Sequence, residues 1–308
     1  MRGNSVYLLV VRPGAIGDTL LTFPTLQALR TSNSGCSIMF VSNPAVLPLA
    51  RACGLVDEAY DYGSLLWSEL FSSSGIRSQE LQKLLHTVDE AIGWLRDPGG
   101  VVQHNLHTLA IPHVVIAPGR PPENRVVHIA IYLAQTVGLV DDVRLTYRLP
   151  LLSASASKAA DWLKCFAVHP GSGGARKCWP TTYFADVIKA LWNRDIPVLL
   201  LSGPADEERL AQLLTLLPTP ARPSLLTRLH NAPLLDVARQ LQSCRGYLGN
   251  DSGITHLAAM LGVPTLALFG PTNPAIWHPI GPSVRVLYEE EMVQLRPDRV
   301  IAAIEKVL

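Results

Sequence analysis

The chain reads as an α/β protein built in two halves, each a parallel β-sheet covered by helices. Three observations predict this. Short, β-branched apolar runs alternate with longer stretches of helical spacing along most of the 308 residues. The alternation occurs twice, on either side of a Ser/Ala-rich interruption at 149–164. Apolar residues make up 48% of the chain and charged residues 17%, so a sizeable core is available and global disorder is excluded.

In the first half, VYLLVVR (6–12) is expected as a strand and DTLLTFPTLQALR (18–30) as a helix. SIMFVSN (37–43) is a second strand, followed by the apolar segment 44–53. EAYDY (58–62) is a short third strand, and mixed helical sequence then runs through Leu85. DEAIGWL (89–95) and HVVIAP (113–118) are further strands, and 123–137 a helix. The second half is cleaner. Strands are expected at 165–170, 197–203, 224–229, 246–250 and 264–270, with helices at 182–194, 205–217, 234–244 and 254–262. DRVIAAIEKVL (298–308) has helical spacing. Strand–helix–strand alternation of this kind predicts parallel sheets with both faces covered.

The net charge is +1 with both signs mixed, which argues against a nucleic-acid binder. The five cysteines, at 36, 53, 165, 178 and 244, include no C-x-x-C pair and are expected as reduced thiols of a cytoplasmic protein. The apolar run near the start meets Arg-Pro-Gly too soon for a signal-peptide core. No stretch approaches the ~20 apolar residues that span a bilayer. A soluble protein is expected, with peripheral contact at the inner membrane surface left open.

Ligands of open parallel sheets bind beyond the carboxyl ends of the strands, where helix N-termini present free N–H groups. Four loops there carry chemistry. RPGAIGD (12–18) offers Gly14 and Gly17 for a tight turn and close substrate approach, and ends on Asp18. Asp18 serves either as a helix cap or as a functional carboxylate beside the helix dipole. HPGSGGARKCWP (169–180) combines Gly171, Gly173 and Gly174 with the donors Ser172, Arg176 and Lys177, a phosphate cradle that fails the P-loop pattern. SGPADEER (202–209) places acids, Asp206 and Glu207 among them, at a helix start, where they complement the dipole or meet ribose hydroxyls. GNDSGITHLAAMLG (249–262) opens a helix on Asp251, Ser252 and Gly253, with His256 one turn in as a packed histidine or a ligand contact. No metal-ligand spacing, D-x-D or G-x-S-x-G elbow occurs.

Taken together, VVRPGAIGDTLLTFPTLQALR, HPGSGGARKCWP and GNDSGITHLAAMLGVPTLALFGPTNP resemble glycosyltransferase family nine, the family of the lipopolysaccharide heptosyltransferases. The resemblance covers the second half and the first ~45 residues, and is weak from about 55 to 150. It implies a GT-B fold, two Rossmann-like parallel-sheet domains facing across a cleft. The implied division is an acceptor-binding domain over 1–155, a nucleotide-sugar-binding domain over 156–290, and a segment 291–308 whose helix returns to the N-terminal domain. The implied activity is inverting, metal-independent transfer of a sugar, heptose from ADP-heptose, to a lipopolysaccharide core or related glycan or glycolipid acceptor. No cofactor is implied; the nucleotide sugar is a substrate.

By the same resemblance Asp18 is the catalytic base and Lys177 the cation at the leaving diphosphate. Ser172, beside Gly173, falls at a phosphate, Asp206 or Glu207 at the ribose, Asp251 at the donor sugar, and Ser252 and Gly253 at the phosphates, with His256 following. Arg51, Arg77, Lys83, Arg96, Arg120, Arg125 and Arg144 match no family motif, and 91–105 departs from it. The alternatives are a related enzyme of another sugar nucleotide, such as a UDP-sugar transferase or epimerase, and a non-catalytic nucleotide-sugar-binding protein.

Overall fold

The computed structural model describes residues 6–33, 35–150 and 165–306. It divides into two compact units, Met1–Arg144 and Leu145–Leu308. Most of the interruption at 149–164, including the expected boundary between 155 and 156, lies outside the described residues. Before it, Leu145 already accepts from Gly281 N at 3.0 Å, and Leu149 N donates to Met260 O at 2.7 Å, so these residues pack with the second unit.

In the first unit, β1 (Tyr7–Arg12), β2 (Ser37–Ser42), β3 (Glu58–Asp61), β4 (Glu90–Trp94) and β5 (His113–Ala117) form one sheet in the order β3-β2-β1-β4-β5. Every pairing is parallel. Leu8, Leu9 and Val10 are fully buried, since helices on both faces leave a parallel strand no polar side. Two elements replace the expected helix at 18–30: α1 (Ile16–Leu20) and α2 (Phe23–Ser32), with Pro24 at the start of α2. Proline suits a first helical turn and cannot continue an interior one, so the break falls before it. α3 (Leu47–Ala52), α4 (Leu65–Ser68), α5 (Gln79–Leu85), α6 (Val101–Thr108) and α7 (Ile129–Thr136) complete the unit. The residue pattern had not marked α6. Its first turn is held by Asp97, whose carboxylate accepts from Val102 N at 3.2 Å and Gln103 N at 3.0 Å.

In the second unit, β6 (Phe166–His169), β7 (Val198–Ser202), β8 (Leu226–His230), β9 (Gly246–Asn250), β10 (Thr265–Phe269) and β11 (Val284–Tyr288) run parallel in the order β11-β10-β9-β6-β7-β8. The helices are α8 (Thr181–Trp192), α9 (Glu207–Leu216), α10 (Leu234–Leu241), α11 (Gly253–Met260), α12 (Pro274–Trp277) and α13 (Pro297–Ile304). β11 was not expected; only one residue of VRVLY is fully enclosed, as befits an edge strand. α13, which the resemblance sends back to the first unit, buries Val300, Ala303 and Ile304 in one core with Val187 and Leu191 of α8. Trp179 anchors that core, fully buried, edge-on to Phe184 at 5.0 Å and donating Nε1–H to Leu295 O at 2.7 Å.

Each sheet grows in one direction from its first strand and then in the other, so β1/β4 and β6/β9 are topological switch points. The loops leaving these four strands are the places where a ligand meets backbone. The segment before β11 is also closely packed: a Cβ on Gly281 would stand 2.2 Å from Ala259 O, a backbone atom with no freedom to retreat. Gly281→Ala is expected to cost about 1–3 kcal/mol through overpacking, read as a several-degree fall in thermal midpoint; an unchanged midpoint would refute the tight approach.

Candidate functional site

At the first switch point, Asp18 is the third residue of α1, not its N-cap, and Gly17 lies inside that helix rather than in the turn. The turn is made by Gly14, whose φ of +152° places an added Cβ 3.0 Å from the Asp18 Cβ. Oδ2 of Asp18 accepts from Ala15 N at 3.2 Å, capping the helix. Oδ1 faces Arg12 Nη2 at 3.3 Å. The Asp18 side chain remains 33% exposed, enough to meet a substrate, whereas Arg12 is 6% exposed. Arg12 closes β1 and was not singled out by the sequence reading. Beside it, a cavity of about 460 Å³ opens at the ends of β4 and β5, lined by Leu95, Arg96, Asp97, Gln103, Ile116 and Pro118.

At the second switch point, the loops after β6, β7 and β9 converge. Asn250, with no solvent exposure, donates Nδ2–H to Pro170 O at 2.8 Å and Gly171 O at 3.2 Å, while its Oδ1 accepts from Trp179 N at 3.0 Å. One buried amide thus closes both ends of the 170–179 loop. Within it Ser172 Oγ donates to Asp251 O at 2.7 Å, and Lys177 Nζ donates to Asp251 Oδ2 at 2.7 Å. Lys177 is 38% exposed and Asp251 7%, so the ammonium faces outward from an enclosed carboxylate. His256 is buried in α11, its Nε2 3.8 Å from Asp251 Oδ1, beyond hydrogen-bond length. Ser252 caps α11 and accepts from Thr255 N at 3.4 Å; Gly253 is the first helical residue. Gly173 is exposed at the loop's outer edge.

The acids of the third loop separate. Asp206 is buried, and its Oδ2 accepts from Gly203 N at 2.8 Å and meets His169 Nε2 at 3.1 Å. His169 Nδ1 lies 3.3 Å from Ser252 Oγ, so one side-chain chain crosses all three loops. The carboxylate occupies the space beside Gly171, where a Cβ would stand 1.9 Å from Oδ1. Asp206 is therefore enclosed, and Glu207 in the same turn is exposed. His169 and Asn250 are the residues the motif reading passed over. Both sit inside the quoted motifs at the last positions of strands, where side chains turn toward neighbouring loops.

Residues 120–304 match the model of glycosyltransferase family 9 (heptosyltransferase). The two Rossmann-like parallel sheets are those of a GT-B fold, shared with solved glycosyltransferases. The chain belongs to glycosyltransferase family 9. It is 25% identical over 152 residues to lipopolysaccharide heptosyltransferase 2 of Salmonella typhimurium, covering 44% of each chain. With lipopolysaccharide heptosyltransferase 1 of Pseudomonas aeruginosa it shares 39% identity over 105 residues, 34% of this chain and 28% of that one. These alignments span less than half the length of the curated relatives. The solved ADP-heptose lipopolysaccharide heptosyltransferase II of Escherichia coli superimposes with a TM-score of 0.78 at 19% identity, covering 98% of both chains.

Burial pushes the Asp206 carboxyl upward, but hydrogen bonding and charge from His169, the Gly203 N–H and Arg209 outweigh it and hold it below the ordinary 3.8. A depressed folded-state value means that Asp206 contributes stability above the unfolded value and loses that contribution as pH falls through the depressed one. Asp206→Asn is expected to lower stability at neutral pH and to flatten its decline on acidification below about pH 4, measured by denaturant titration. An equally steep acid decline in the variant would refute the assignment.

Proposed function

We propose that this protein is an inverting glycosyltransferase that moves heptose from ADP-heptose to a lipopolysaccharide-core or related glycolipid acceptor. Membership of family 9 and the donor named for the similar solved structure support the choice of sugar nucleotide. The observation that carries the reading is the meeting of Lys177, Ser172, Asp251 and Ser252 at the β6/β9 switch point, on loops closed by Asn250.

In this reading the second unit holds the donor. The ammonium of Lys177, shared with Asp251, turns to the diphosphate and stabilises the charge that accumulates as the glycosidic bond breaks. The first turn of α11, with Ser252 and Gly253, supplies N–H groups to phosphate oxygens. Ser172 steadies the cradle by holding the Asp251 carbonyl, and Asp251 approaches the donor sugar. Glu207, exposed in the first turn of α9, is the acid for the ribose hydroxyls; Asp206 works behind it by fixing His169. No metal is invoked, because Lys177 and loop amides carry the leaving-group charge.

The first unit supplies the base. Asp18 accepts the proton of the acceptor hydroxyl as that oxygen attacks the anomeric carbon from the face opposite the diphosphate, which inverts configuration. A carboxylate is a weak base, so its effect is largely positional. In this reading the cavity at the ends of β4 and β5, walled by the polar Arg96, Asp97 and Gln103, receives an acceptor sugar.

Thermal-shift measurement with ADP, GDP and UDP tests the donor. Stabilisation by ADP alone is expected, and stabilisation by UDP alone would overturn the choice. Lys177→Ala is expected to weaken ADP binding about tenfold, the scale of one charged hydrogen bond, read by calorimetry; unchanged affinity would remove Lys177 from the site. Asp18→Asn is expected to leave ADP affinity intact and to lower transfer from ADP-heptose to a lipid A-type acceptor by about 10²–10⁴-fold. Substantial residual transfer would exclude Asp18 as the base.

A further inference from the structure

We propose that Arg12 is the positioning residue for Asp18, tying that carboxylate to the strand ends that border the first-unit cavity. The inference rests on the reading of Asp18 as the base. Arg12 Nη2 reaches Asp18 Oδ1 at 3.3 Å and donates to Gly119 O at 2.9 Å, while Nη1 donates to Trp94 O at 3.2 Å. Trp94 and Gly119 directly adjoin Leu95 and Pro118 of the cavity wall. A single planar group thus spans the end of β1, the end of β4 and the loop after β5, and touches the proposed base.

A buried charge is a costly way to bridge these strand ends. Arg12 is 6% exposed, its Nε is enclosed without a partner, and burial works against its cation, with Asp18 partly compensating. An enclosed ion pair is seldom better for stability than apolar packing of the same volume. The surroundings are nevertheless shaped to admit it. A Cβ at Gly119 would stand 2.0 Å from Nη1, and one at Gly14 would press on the Asp18 Cβ at 3.0 Å. Two glycines therefore leave room for the guanidinium–carboxylate pair. With Oδ1 at Arg12 and Oδ2 at Ala15 N, the carboxylate is fixed at both oxygens while a third of it faces solvent. Each oxygen keeps a lone pair for an incoming hydroxyl, and the fixed carboxylate presents it in a defined orientation, which is what positional catalysis requires.

The test compares Arg12→Met, Gly119→Ala and Asp18→Asn in the whole chain. ADP affinity is read by calorimetry, folding by thermal midpoint, and kcat and KM with ADP-heptose and a lipid A-type acceptor. Gly119→Ala keeps the charge of Arg12 but drives its guanidinium from the pair, so the idea does not hang on one variant. Both Arg12→Met and Gly119→Ala are expected to lose about 100-fold in kcat, the scale of a misplaced catalytic group. KM for ADP-heptose and ADP affinity should stay unchanged. If both folded variants keep wild-type kcat while Asp18→Asn loses transfer, the positioning role is overturned and the base assignment stands. If kcat falls only together with ADP affinity and thermal midpoint, Arg12 is structural and the proposal is likewise overturned. Retained transfer in Asp18→Asn is a separate result, and it overturns the reading on which the proposal rests.

Discussion

The side chain of Asn250 holds the second unit's chemistry in place. Enclosed at the end of β9, its amide meets the carbonyls of Pro170 and Gly171 and the N–H of Trp179. Unpaired, each of those enclosed polar groups would cost about 1–3 kcal/mol, so the loop closes on the amide. Its closure sets the positions of Ser172 and Lys177, and through them Asp251. Trp179 at the loop's far end is also part of the hydrophobic core, which makes the loop an extension of that core. The Asp206–His169–Ser252 chain adds a second brace across the same strand ends.

The first unit solves a related problem with different side chains. Its switch point is bridged by the buried cation of Arg12, which reaches carbonyls on two other segments and the carboxylate on α1. Both solutions follow from parallel-sheet geometry: strands end together, and their last residues must satisfy the polar groups of several departing loops. Where the bracing group is neutral and fully paired, as in Asn250, its value is stability. In Arg12, charged and incompletely paired, the value lies in the group it holds.

The first unit offers a carboxylate and a cavity, and the second an ammonium among hydroxyls. Among the described residues, no helix is long and apolar enough to cross a membrane. Four of the five cysteines are buried, and burial lifts Cys53 to about 11, so these four pack as small hydrophobes.

Much of this was written in the residue order. Strand runs such as VYLLVVR and CFAVHP carry their own geometry, and the glycine-bearing segments that follow them mark both switch points. The α/β class, the two halves, and Asp18, Lys177, Ser172 and Asp251 as residues beyond strand ends were all legible locally, because periodicity and turn chemistry act over a few neighbours. α6 and β11 were not, since an Asp97 cap and a pairing with β10 stabilise them rather than a strong pattern of their own. Nor did the order of residues distinguish Asp206 from Glu207, or mark out Arg12, His169 and Asn250. Burial and partnership decide those roles, and their partners lie many residues away, at 94 and 119 for Arg12, 206 and 252 for His169, and 170, 171 and 179 for Asn250. Local chemistry names the groups available to a site; which of them face a ligand and which hold the others is set only when the sheet brings its strand ends together.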